Sequence, residues 1–269
     1  MFSYPDIDPI ILRLGPFKIR WYGLMYVLGF AAAWFVVRRE IGRRRFAALA
    51  ARWEDLNGIL LLALILGGRL GYVCIYNPGW YLAHPLDVLR IWQGGMSFHG
   101  ALVGVLLAGA VYCRRHRLPF LQVADVYVLP VPIGLGLGRL GNFINGELYG
   151  RITDVPWAMA FPAGGPAPRH PSQLYEAVGE GLALFCLLWF ARRRIARPGG
   201  LLALFLIGYG MIRFGLEFFR EPDPQLGLVV AGVGTMGQLL SAGMVVAGAA
   251  LWRLAGRRDF LDKSTGTGK

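Results

Sequence analysis

The chain has 269 residues, 55% hydrophobic and only 16% charged, with a mean hydropathy of +0.48. That apolar fraction excludes an ordinary soluble domain of this length, and the lack of short alternating runs excludes a membrane β-barrel. A net charge of +12 would suit nucleic acid in a soluble protein, but the basic residues stand in clusters between apolar runs, the pattern of cytoplasmic loops, so no nucleic-acid partner is expected.

The expected fold is all-α: a polytopic integral membrane protein of about seven transmembrane helices in one domain over residues 1–269. Residues 1–20 are polar and read as an interfacial segment. The first span is 21–37, tipped by Trp21, Tyr22 and Tyr26 and followed by Arg38, Arg39, Arg43, Arg44 and Arg45. Such a cluster stays in the cytoplasm, so the amino terminus lies outside, on the periplasmic face. The second span, 56–76, returns outward to a loop carrying Trp80, Tyr81 and Trp92. The third, 96–113, ends inside at Arg114, Arg115 and Arg117, and the fourth, 121–138, leads outward to a long external segment, 139–173, rich in Gly and Pro. The fifth, 174–191, ends inside at Arg192, Arg193 and Arg194. The sixth is 201–219 and the seventh 228–252, which leaves a basic carboxyl terminus in the cytoplasm. Each run approaches the roughly 20 residues that cross a bilayer.

Small-residue pairs four apart, Gly67/Gly71, Gly100/Gly104 and Gly134/Gly138, match the spacing of close helix packing. Cys74, Cys113 and Cys186 lie in or beside apolar runs without ligand spacing, so they read as small buried hydrophobes and no metal is expected.

The informative residues are polar groups inside apolar runs, which are costly and usually line a site. Arg69 lies within the second span, and Arg139 ends the fourth. Arg213 and Glu217 sit four apart in the sixth, on one helix face. Glu147 and Glu217 are the expected partners of the arginines, and whether Arg69 serves packing or function stays open. Arg139 and Arg213 both fall in the outer half of the membrane, where paired guanidinium groups suit a lipid phosphate. His99, set among Gly94, Gly95 and Gly100, is a candidate base. His170 reads as part of a helix start, with Pro171 in the first turn and Ser172 or Gln173 satisfying amides. A secondary transporter would need broken helices in symmetry-related places. An intramembrane hydrolase would need a nucleophile such as Ser97, but residues two apart on a helix do not face each other, which argues against a Ser97/His99 dyad.

The run Gly138-Arg139-Leu140-Gly141-Asn142-Phe143-Ile144-Asn145-Gly146-Glu147-Leu148-Tyr149-Gly150 resembles the signature of bacterial prolipoprotein diacylglyceryl transferases. The resemblance extends through Arg20-Trp21-Tyr22-Gly23-Leu24-Met25-Tyr26, Gly94-Gly95-Met96-Ser97-Phe98-His99-Gly100 and His170-Pro171-Ser172-Gln173-Leu174-Tyr175-Glu176. It ends in Gly208-Tyr209-Gly210-Met211-Ile212-Arg213-Phe214 and the block Glu217 to Asp223. It implies a multi-pass enzyme of the bacterial inner membrane, with its active site toward the outer leaflet. The implied reaction moves the diacylglyceryl group of phosphatidylglycerol to the lipobox cysteine of a preprolipoprotein signal peptide, forming a thioether and releasing glycerol phosphate. No cofactor is implied, and the partners are those two substrates and the surrounding membrane lipids. By motif, the catalytic positions fall on His99, Arg139 and Arg213. The phosphatidylglycerol-binding positions fall on Arg139, Tyr22, Asn142, Asn145, Glu147, Gly150, Tyr209, Glu217 and Arg220.

A mechanism follows from these residue types. A thiol of pKa about 8.5 needs a base at neutral pH, a role open to His99 or to an arginine-bound phosphate oxygen. Arg139 and Arg213 would stabilise the charge on the departing phosphate. Asn142, Asn145 and Glu147 would position the headgroup or hold the arginines.

Overall fold

The structure, a computed structural model, describes residues 2–5, 7–15, 17–222, 228–230 and 234–265. A hairpin of β1 (Ile10–Leu14) and β2 (Phe17–Arg20) leads into α1 (Trp21–Arg44). Then come α2 (Trp53–Ile75), α3 (Phe98–Arg115), α4 (Phe120–Ile144), α5 (Ser172–Ala191) and α6 (Gly200–Leu216). A short hairpin of β3 (Leu228–Val230) and β4 (Gly234–Thr235) precedes α7 (Met236–Thr265). A helix thus stands at each expected span. Among the described residues five segments, α1, α2, α4, α5 and Met236–Ala255 of α7, are long and apolar enough to cross a membrane. Their outer faces carry exposed Phe35, Leu62 and Phe190, among many other large apolar side chains, as lipid-facing surfaces do. The protein is an all-α, multi-pass membrane protein.

Several boundaries depart from the expected spans: α1 runs on to Arg44 rather than 37 and α7 to Thr265 rather than 252, and three others differ as follows. The fourth helix does not end at 138. Pro130 and Pro132 interrupt it after Tyr127, because proline lacks an amide and crowds the preceding turn. It resumes at Val131 and runs to Ile144, so residues 139–144 of the expected external segment are helical. The sixth helix stops at Leu216, short of 219. The seventh begins at Met236, not 228, because Thr235 and Gln238 form a capping box. The Thr235 hydroxyl accepts from the Gln238 amide at 3.2 Å, and Gln238 Oε1 accepts from the Thr235 amide at 3.1 Å.

The chain folds as two compact units, residues 41–123 and residues 1–40 with 124–269. In the first, α2 and α3 cross through glycines. A Cβ on Gly67 would stand 2.5 Å from the Gly100 carbonyl oxygen, and one on Gly71 would stand 2.7 Å from Gly100 Cα. Two of the three expected glycine pairs therefore meet each other. Cys113 is buried in this unit, whereas Cys74, expected to be buried, is exposed.

In the second unit, Val36, Val128, Leu129, Leu188 and Leu201 form a buried cluster that joins α1, α4, α5 and α6. The Asp125 carboxylate accepts from the amides of Gly199 (2.8 Å) and Leu202 (2.9 Å). It thereby satisfies the start of α6, whose first amides have no helical partner. A Cβ on Gly134 or Gly138 would meet nothing within 4 Å, so the pair makes no close approach to α5. The contact is made instead by Gly136, since a Cβ on Gly181 of α5 would lie 2.7 Å from Gly136 Cα. Gly181→Ala is expected to force α4 and α5 apart and cost roughly 1–3 kcal/mol. Gly138→Ala, with open space around it, should be close to neutral. Thermal unfolding in detergent compares the two.

The segment after α4 is folded rather than loose. Tyr4 donates its hydroxyl to the carbonyls of Phe143 (2.6 Å) and Ile144 (3.1 Å) at the end of α4. Its ring packs on Phe143 and on buried Phe161. Backbone bridges join Gly150 to Arg220 and Arg169 to Ile152 and Met159.

Candidate active site

The Gly136/Gly181 crossing sets the centre of the second unit. Close approach there puts Arg139, one turn beyond Gly136, against the acidic face of α5. Residues Ala177–Ala183 of α5 wind as a π-helix, a widened turn that recurs at functional sites. Arg139 Nε lies 3.2 Å from Glu176 Oε2, and its Nη2 lies 3.5 Å from Glu180 Oε2. From α6, Arg213 Nη1 lies 2.5 Å from Glu176 Oε1 and 3.6 Å from Glu180 Oε1, and Nη2 lies 2.5 Å from Glu217 Oε2. The Thr235 hydroxyl donates to Glu217 Oε1 at 3.0 Å, and a Cβ on Gly237 would stand 2.7 Å from the same oxygen. Two guanidinium groups and three carboxylates therefore share one buried cluster.

The two arginines are not equivalent within it. Both terminal nitrogens of Arg213 are taken by carboxylates at 2.5 Å, and its side chain is 9% exposed. Arg139 makes longer contacts through Nε and Nη2, and its side chain is 17% exposed, against 1% for Glu176 and 0% for Glu180. Among the described residues Arg139 Nη1 has no carboxylate partner. Arg139 is thus the cation with donor capacity left for an incoming anion.

Glu176 and Glu180 did not emerge from the sequence as site residues. The signal was present, since both are acidic groups within an expected apolar span, the same criterion that singled out Arg213. Glu217 is an arginine partner, as expected. Glu147 is not: its Oε1 accepts from Asn142 Nδ2 (2.9 Å) and Asn145 Nδ2 (3.1 Å). These three residues form a hydrogen-bonded turn at the end of α4, with Gly146 at φ +67° and Leu148 at φ +57°. A non-glycine residue in the left-handed region costs on the order of 1–3 kcal/mol and needs outside support. Ser172 and Gln173 supply it. Ser172 Oγ donates to the Leu148 carbonyl at 3.3 Å, and Gln173 Nε2 donates to that of Glu147 at 2.8 Å. Neither side chain caps the start of α5, where they were expected to satisfy amides. Gln173 Oε1 is buried without a hydrogen-bond partner, which ordinarily costs about 1–3 kcal/mol.

Tyr22 packs its ring on Gly141, where a Cβ would stand 2.7 Å from its Cδ2. Tyr209 lies one turn before Arg213 on α6 and stacks on Phe205. Gly150 and Arg220 belong to the framework beside the site. The Gly150 amide donates to the His170 carbonyl at 2.9 Å, a Cβ there would meet the Phe219 carbonyl oxygen at 2.5 Å, and the Arg220 carbonyl accepts from Arg151 Nε at 2.9 Å. His170 packs edge-on against Tyr175 and Phe219, and burial pushes its imidazole below the usual value. Its ring joins this framework, and the helix start expected beside it follows at Ser172 without a side-chain cap.

In the unit of residues 41–123, His99 is exposed in the first turn of α3, beside Phe98. Ser97 caps that helix, accepting from the Gly100 amide at 3.2 Å, and its own amide donates to the Gly68 carbonyl at 2.8 Å. The open question over Arg69 is resolved as packing. Its buried guanidinium donates to the carbonyls of Asp87, Val88, Arg90, Gly94 and Gly95 at 2.5–3.4 Å and lies over the Tyr81 ring. One arginine thereby gathers the loop that leads to His99. Arg69→Lys, a point charge without the planar fork, is expected to loosen residues 85–95. Limited proteolysis should then cut that loop markedly faster than in the parent protein.

The family model described as prolipoprotein diacylglyceryl transferase matches residues 9–254. A phosphatidylglycerol-prolipoprotein diacylglyceryl transferase of Desulfotalea psychrophila is 54% identical over 257 residues, covering 93% of this chain and 94% of the relative. Proteins of the same name from Geobacter sulfurreducens and Bordetella parapertussis are 54% and 51% identical, covering 95% and 96% of this chain and 98% of each relative.

Proposed function

From the chain's membership of the prolipoprotein diacylglyceryl transferase family, to which it belongs, we infer a transferase that uses phosphatidylglycerol in lipoprotein maturation, with Arg139 as its phosphate ligand. The observation that carries the residue assignment is the buried cluster in which Arg139 alone combines exposure with unspent donor capacity. The diacylglyceryl group passes to the lipobox cysteine of a preprolipoprotein. The thiolate attacks the glycerol carbon, the C–S bond forms as the C–O bond to phosphate breaks, and glycerol phosphate leaves. Charge grows on the departing oxygens, and Arg139 stabilises it in a low-dielectric site. Arg213 acts as a positioning residue, fixing Glu176 and Glu217 and through Glu176 the orientation of Arg139. Asn142, Asn145 and Glu147 shape the turn beside the headgroup, with Tyr22 and Tyr209 on neighbouring faces. The enzyme works in the bacterial inner membrane with this site toward the outer leaflet, a reading supported by the arginine clusters that mark the opposite ends of the helices.

His99 is the proposed base for the thiol. Incubating purified protein with phosphatidylglycerol and a lipobox peptide should add the mass of a diacylglyceryl group to the peptide cysteine. His99→Gln should be strongly impaired at pH 7 and recover as the pH approaches the thiol's own pKa of about 8.5. Full activity at pH 7 would remove the assignment. An unmodified peptide with the parent protein would refute the activity itself.

A further inference from the structure

We propose that Gln173 reads the headgroup of the lipid substrate, its free Oε1 accepting a hydrogen bond from a hydroxyl of the headgroup glycerol. This rests on the transferase reading above and adds a specificity residue to it. Gln173 is fully buried, and its Nε2 donates to the Glu147 carbonyl at 2.8 Å. Because a carbonyl takes only a donor, this bond fixes which end of the amide is nitrogen. The remaining end is an acceptor, and it has no partner among the described residues.

Three placements tie this acceptor to the site. Gln173 lies one α-helical turn before Glu176, and Glu176 and Glu180 both touch Arg139. Its other end holds the turn of Asn142, Asn145 and Glu147. That turn is thin cover, since Glu147 and Leu148 are exposed while Leu148 is held in left-handed backbone. The nearby cationic donors, Arg139 and Arg213, suit phosphate oxygens. A phosphodiester itself offers no donor to an amide oxygen, whereas the terminal glycerol of phosphatidylglycerol carries two hydroxyls. A buried acceptor on the helix that bears the carboxylate partners of Arg139 therefore selects a hydroxylated headgroup, and a site built around an unmet hydrogen bond discriminates against analogues that lack the donor.

The test compares initial rates of thioether formation from phosphatidylglycerol and from phosphatidylpropanol with identical acyl chains, using full-length protein in detergent and a lipobox peptide. The parent protein should favour phosphatidylglycerol by about tenfold or more. Gln173→Met should bring the ratio close to one, mainly by lowering the phosphatidylglycerol rate. Gln173→Glu, which keeps an acceptor while losing the donor to Glu147, should retain a preference at reduced overall rate. Equal use of the two lipids by the parent protein overturns the inference without reference to any variant. So does an unchanged ratio in Gln173→Met, which would leave Gln173 only the support of the turn. Failure of the parent protein to modify the peptide from either lipid would instead overturn the transferase reading.

Discussion

Arg139→Ala is expected to lower thioether formation by about a thousandfold, the upper range for removing one preorganised donor from a developing oxyanion. Arg139→Lys should recover little, because a point charge on a flexible stem cannot keep the contacts to Glu176 and Glu180 while offering further donors to phosphate. The loss should exceed any change in folding stability, since Arg139 holds its carboxylates at 3.2 and 3.5 Å and keeps a share of its side chain exposed. Parallel rate measurements and thermal unfolding in detergent separate the two effects. Near-normal turnover in Arg139→Ala would end its assignment as the phosphate ligand.

Arg213→Met should behave differently, destabilising the fold by about 3–5 kcal/mol as well as abolishing activity. It would leave Glu176 and Glu180 sharing the Arg139 guanidinium and Glu217 without its arginine, and breaking a buried ion pair by removing one partner strands the other charge. Adding Glu217→Gln to Arg213→Met should restore part of the stability, because one stranded carboxylate is then neutral. It should restore no activity. Residues in one network couple strongly, so the double variant ought to be more stable than the sum of the single changes predicts. Additive losses would mean that the 2.5 Å pair of Arg213 and Glu217 carries little energy.

Together the two variants separate a ligand from a positioning residue. The sequence assigns Arg139 and Arg213 the same role, as paired donors to one phosphate. The structure distinguishes them by which nitrogens the carboxylates already occupy. That distinction depends on the fifth helix, where Glu176 and Glu180 pass unnoticed in an apolar run with an aromatic-rich end. Their partners lie between 33 and 41 residues away in sequence, and no local pattern states which arginine each will meet. Glu147 shows the converse. As an acid close to Arg139 it looked like an ion-pair partner, but the turn at the end of α4 directs its carboxylate to Asn142 and Asn145. Arg69 was ambiguous for the same reason, since its partners are backbone carbonyls and any residue type supplies a carbonyl.

The sequence by itself determined the all-α, multi-pass class and the approximate place of the apolar helices, because roughly 20 apolar residues and flanking arginines are one-dimensional signals. It determined the blocks that carry the family resemblance and flagged Arg139, Arg213 and Glu217 as polar groups in apolar surroundings. The Thr235/Gln238 cap, which starts α7 at 236 rather than 228, came only with the structure. Only the tertiary structure decided the pairing. Whether two glycines meet depends on which helices cross, so Gly136 and Gly181 make the contact and Gly134 and Gly138 do not. That crossing distance carries Arg139 to Glu176 and Glu180, and it leaves one guanidinium with donors to spare.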